Sequence, residues 1–132
     1  MQDNQQPPNI LIAAFDGHIF GMNPATGGVI WEQEVPGAYT RLYINEAYTL
    51  ALSGGALLCL ETKTGRVYWK AEAYGETLLF PGGPFVFVGS HGEVQCHSIV
   101  DGRRLWREAF KGKGTTVVAL GVPGLIAQLD AH

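Results

Sequence analysis

GHIFGMNPATGGVIW (residues 17–31), GALLCLETKTGRVYW (55–69) and GEVQCHSIVDGRRLW (92–106) align without a gap. Each stretch opens on a glycine, Gly17, Gly55 or Gly92, and closes on a tryptophan, Trp31, Trp69 or Trp106. A second glycine recurs in step at Gly27, Gly65 and Gly102. The tryptophans stand 38 and 37 residues apart, so two turns and one large side chain are copied per unit and the chain is a tandem repeat.

Working outward from the second copy, each period reads as four strands. Residues 41–45 (RLYIN), 48–53 (YTLALS), 56–61 (ALLCLE) and 66–71 (RVYWKA) are short runs rich in β-branched, aromatic and apolar residues. Between the second and third strands stand Asp16-Gly17, Gly54-Gly55 and His91-Gly92. The first two are dipeptides favoured in two-residue hairpins, whose turns require positive φ. Between the third and fourth stand PATG, TKTG and IVDG, again with glycine where the chain must turn left-handed. No helix is predicted.

One four-stranded antiparallel sheet of this size cannot cover both its faces, so successive copies are expected to stack face to face. A tryptophan buries about 150–250 Å² and, placed once per sheet, would fill the gap to the neighbouring sheet. Twisted sheets stacked radially make a β-propeller, so the expected fold is an all-β propeller of four-stranded antiparallel blades with about three blades in this chain. Trp31, Trp69, Trp106, Gly27, Gly65 and Gly102 are read as the blade-packing residues.

The copies resemble the tryptophan-docking repeats of pyrroloquinoline quinone-dependent alcohol dehydrogenases and their non-catalytic relatives, among them the propeller subunit of the bacterial outer-membrane protein assembly machine. The pattern of that family is a small residue, any, Asp, two of any, Thr, Gly, three of any, Trp. It is matched by Gly21, Asn23, Thr26, Gly27 and Trp31, then by Cys59, Glu61, Thr64, Gly65 and Trp69, then by Cys96, Ser98, Asp101, Gly102 and Trp106. The resemblance covers nearly the whole chain and implies the propeller fold. It implies little about function, because the motif serves blade packing. Asn23, Glu61 and Ser98 depart from the Asp position, which bears on hydrogen bonding alone.

Blade counting goes further. GLIAQLDAH at 124–132 matches NILIAAFDGH near the start, with Asp130 lying 114 residues after Asp16, three periods of 38. The expected organisation is a polar tail at 1–9, three repeats at about 10–45, 46–82 and 83–122, and a terminal strand at 124–132. Closed propellers need at least four blades. An open arc leaves apolar faces at both ends, and such patches are uncommon on soluble monomers. The expectation is therefore a homodimer closing a six-bladed ring, with the run GTTVVALGV (114–122) supplying the missing innermost strand of the first blade of a second copy. The redundant strand at 124–132 has no place in that scheme.

The chain of 132 residues is 46% hydrophobic and carries a formal net charge of -3, which argues for one compact domain and against nucleic acid or an anionic membrane as the main partner. It shows no basic n-region and no long apolar run, so a cytoplasmic protein is expected, a processed exported form reading the same. Cys59 and Cys96 occupy equivalent positions and read as small core residues rather than a disulfide or metal pair.

No phosphate-cradling loop, nucleophile elbow or spaced Cys/His set is present, so no catalytic residue, metal or cofactor is expected. Asp16, His18, His91, Asp130 and His132 fall at or beside hairpin turns and would line one rim. Solvated turn chemistry explains them, and a ligand or metal rim is the sharper alternative. Arg103, Arg104, Arg107, Lys111 and Lys113 crowd into eleven residues, as cations protecting an outer edge strand or as a surface for an acidic protein partner. Tyr39, Tyr43, Tyr48 and Tyr74 read as packing or as a sugar- or protein-binding surface. The function expected is a non-catalytic binding or scaffold module. A sugar-binding propeller lectin and a piece of a quinone-dependent dehydrogenase are the alternatives.

Overall fold

The computed structural model describes residues 9–128, and all regular structure within them is β. A three-stranded sheet holds β1 (Leu11–Phe15), β2 (His18–Met22) and β3 (Val29–Glu34) in that order. A four-stranded sheet follows, with β4 (Arg41–Ile44), β5 (Tyr48–Ser53), β6 (Ala56–Glu61) and β7 (Val67–Glu72) in sequence order. The third sheet repeats this meander with β8 (Thr77–Leu79), β9 (Phe85–Ser90), β10 (Glu93–Ser98) and β11 (Arg104–Glu108). A hairpin of β12 (Leu120–Val122) and β13 (Leu125–Ala127) comes last.

The turns follow from local chemistry. Asp16-Gly17, Gly54-Gly55 and His91-Gly92 all hold positive φ at both residues, as two-residue hairpin loops of this kind require. In the second turn of each unit the N–H of Gly27, Gly65 or Gly102 donates to the carbonyl of Asn23, Glu61 or Ser98, each at 2.8 Å. Each glycine sits at φ between 74° and 79°, where a Cβ would be strained. The residues departing from the family's Asp still hold the turn. Asn23 Oδ1 accepts from the N–H of Ala25 and Thr26, Ser98 Oγ from Val100, and Glu61 takes the Thr64 hydroxyl.

The middle sheet explains its own unbroken apolar run, because it is covered on both faces. Leu50, Leu52, Leu57 and Cys59 point into a core shared with Leu78, Phe80, Val86 and Val88 of the third unit. The alternate residues Ala51, Ala56, Leu58 and Leu60 join Ile19, Trp31 and Val35 of the first unit in a second core. Period-two alternation here divides residues between two apolar neighbours rather than between core and water.

Two expectations need correction. Residues 114–122 are not one strand, since only Leu120–Val122 pair, and they pair with β13 of the same chain. Gly114 is at φ 129° and its carbonyl lies where a Cβ on Gly92 would stand, while Val118 packs against Gly89; the segment therefore crosses the third sheet before β12 begins. Within the segment at 124–132, Leu125–Ala127 gain a partner, pairing with β12 and lying beside β8. Residues beyond 128, with Asp130 and His132, lie outside the described residues, as does most of the polar tail.

Candidate functional site

The repeated tryptophan packs on the next unit, and the contact is the same at both internal junctions. Trp31 projects from β3 onto the turn before β7, and its Nε1 donates to the Thr62 carbonyl at 3.0 Å. Trp69 projects from β7 onto the turn before β11, donating to the Ile99 carbonyl at 2.7 Å. The ring lies flat on glycine, since a Cβ on Gly65 would stand 2.4 Å from the Trp31 ring and one on Gly102 would stand 2.3 Å from Trp69. Both tryptophans are only 8% exposed. At the first junction Gln33 Nε2 adds a bond to the Gly65 carbonyl.

The two ends of the stack carry the separated halves of this contact. Trp106 faces away from the middle sheet and is 46% exposed, beside Phe87 and Phe85. Gly27, the counterpart of Gly65 and Gly102, has open space where those two meet an indole. The first sheet turns Leu11, Phe15, Phe20 and Met22 outward, opposite the face that carries Trp31. Phe15 stacks on Phe20 and is 57% exposed.

Of the residues read as a possible rim ligand set, Asp16, His18 and His91 lie within the described residues. His18 opens β2, stacks on Phe20 and reaches Glu32 at 3.5 Å. His91 lies in the third unit's turn, with Nε2 3.4 Å from Glu76 Oε1 and Nδ1 facing the Thr115 carbonyl. Among the described residues no three His, Cys, Asp or Glu side chains converge as a metal would need. Asp16 lines a cleft of about 430 Å³ where the three units come together, with Phe15, Tyr39, Arg41 and Glu76. Sequence reasoning missed Arg41 and Glu76, whose only signal was a charge at the entry to an innermost strand.

The five cations do lie along one edge. Arg103, Arg104 and Arg107 belong to or precede β11, the outermost strand, and Lys111 and Lys113 follow it, all exposed. Arg107 is bound to Glu93 at 2.7 Å, which holds the Glu93 carboxyl below its usual range. The tyrosines form no single surface, because Tyr43 and Tyr48 pack edge-on to Phe80 in the core between the second and third sheets. Tyr39 is almost fully exposed and Tyr74 covers Gly55. Cys59 and Cys96 are both buried free thiols, and burial pushes Cys59 up to about 12, so neither is poised to react.

Sequence reasoning also passed over His97, which is fully buried. Its Nδ1 lies 2.9 Å from the Gly102 carbonyl and its Nε2 3.1 Å from Gln95 Oε1. The hint was a histidine where the other copies have Met22 and Leu60.

Comparison with known proteins agrees with this geometry. BamB from Moraxella catarrhalis superposes with a TM-score of 0.64 at 16% identity, over 85% of this chain and 34% of that one. The computationally designed Ika8 protein gives 0.72 at 16% identity, over 92% and 40%. A europium-containing methanol dehydrogenase gives 0.59 at 16%, over 74% and 22%. The chain thus spans well under half the length of each. No curated protein matches it in sequence. The family model described as outer membrane protein assembly factor BamB matches residues 16–128. With the indole-on-glycine junction repeated between its sheets, the chain belongs to this family of PQQ-like β-propeller repeats.

Proposed function

We propose that the chain is a non-catalytic β-propeller scaffold that assembles with itself, two copies closing a six-bladed ring whose rims bind a protein partner. The observation that carries this reading is the pair of incompletely covered blade faces, where large apolar side chains stay exposed. The first sheet offers Leu11, Phe15, Phe20 and Met22, and the third offers Phe85, Phe87 and Trp106. Apolar faces of this kind mark interaction surfaces. Everything the three copies share serves turns and packing, and the family description, an assembly factor, fits a binding role.

Light scattering should give twice the 14.3 kDa chain mass at micromolar concentration. A stable monomer would overturn self-assembly, and a larger closed oligomer would overturn the count of six blades. Pyrroloquinoline quinone and calcium, added together, should leave no quinone absorbance with the protein after gel filtration. Retained absorbance, or dye-linked alcohol oxidation above a blank, would favour a dehydrogenase instead.

A further inference from the structure

We infer that the contact between copies is the intrachain junction made in trans: Trp106 of one copy seats on Gly27 of a second, its Nε1 donating to the Pro24 carbonyl of that second copy. The inference rests on the self-assembly proposed above and names the atoms that carry it.

Three observations point to this seat. Trp31 and Trp69 each lie on a glycine of the next unit and bond to the carbonyl three residues before it, Thr62 before Gly65 and Ile99 before Gly102. Three residues before Gly27 is Pro24. The turn at Gly27 already has the seat's shape, since Gly27 and its two counterparts share the same bond to the residue four back and φ within five degrees of one another. Finally, the exposed knob and the open seat lie on opposite ends of the stack, so one copy's end matches the other copy's beginning. Such a contact is head-to-tail, in which each copy presents two different surfaces.

The hairpin β12–β13 sets the remaining geometry. β13 is equivalent in register to β1, so in the assembled blade it and the second copy's β1 would compete for one position. β13 has three residues and one neighbour, whereas β1 has five and belongs to a sheet of three. Beside β8 a hairpin of two three-residue strands holds β13 less firmly than a sheet of three holds β1, so β1 displaces β13 and β12 becomes the innermost strand of a composite blade.

Two variants test the seat on the full chain. Trp106→Ala removes the knob, and Gly27→Asn fills the seat with a residue that tolerates positive φ. Each alone should keep the native far-ultraviolet circular dichroism and weaken self-association by at least about 30-fold, as expected for a central tryptophan anchor. Mixed together they should restore a two-chain species, because the intact Trp106 of the Gly27→Asn chain meets the intact Gly27 of the Trp106→Ala chain. A face-to-face symmetric dimer would show no such rescue. If the native chain is dimeric and both variants associate as it does, the seat is wrong while self-assembly stands. If both variants weaken association but the mixture stays monomeric, the head-to-tail pairing is wrong. A monomeric native chain overturns the inference together with the reading beneath it.

Discussion

His97 shows how one residue departs from its repeat. Burial is the main cause holding its pKa below the usual value of 6.5; nearby Arg104 acts in the same direction, and the hydrogen bond to Gly102 opposes both. Burial therefore favours the neutral ring, with Nδ1 against the carbonyl of the glycine on which Trp69 rests. Below about pH 6.5 the unfolded chain binds more protons at this site than the folded one, so the stability contributed by the neutral ring is present above that pH and lost as pH falls. Thermal melts from about pH 7 to about pH 5 should show a decline that is shallower in His97→Leu, the residue type at Leu60 in the preceding copy. Equal slopes for the two proteins would mean that His97 does not titrate with unfolding.

At the level of elements, the junction between sheets is a tryptophan on one strand and a glycine turn on the next. Trp69→Ala should cost about 3–5 kcal/mol in denaturant unfolding, since a buried aromatic is truncated at the centre of the stack. Trp106→Ala should cost far less when measured well below the concentration of self-association, and His91→Ala about 0.5 kcal/mol or less. Gly102→Ala and Gly82→Ala both place a Cβ at positive φ, but only the first drives it into an indole. Gly102→Ala should therefore be worse by about 1–3 kcal/mol, the cost of overpacking, and equal losses would remove the ring from the account. These elements were readable in the sequence because their causes are local. Gly-containing dipeptides set the hairpins, and the runs at 41–45, 48–53 and 56–61 mark their strands almost to the residue. What was not readable depends on neighbours. Trp106 holds the same place in its copy as Trp31, yet its exposure follows from which sheet lies beyond it. The run at 114–122 is apolar like a strand, yet Val118 is spent packing on Gly89. The cleft residues Arg41 and Glu76 come from different units and line one cleft only because the units stack.

Across the whole molecule, order should fall away from the centre, because each sheet touches only its neighbours. Amide exchange should be slowest in β5 and β6, which are covered on both faces, and fast in β13 and the exposed β11. Raising protein concentration should protect β1, β12 and β11 selectively if the end faces meet, and uniform protection would argue against end-to-end assembly. The seat beneath each tryptophan has a different kind of consequence. It consists of a glycine and a main-chain carbonyl, supplied by Thr62 in one junction and Ile99 in the other. No side chain at those positions takes part in the bond. The two copies can therefore differ there, threonine in one and isoleucine in the other, while the bond to the indole is kept, and ancestry can fade from these units while their mechanical coupling persists. Such a hinge-free joint is inherited through backbone shape, with the indole and the glycine as the two letters that must be copied faithfully.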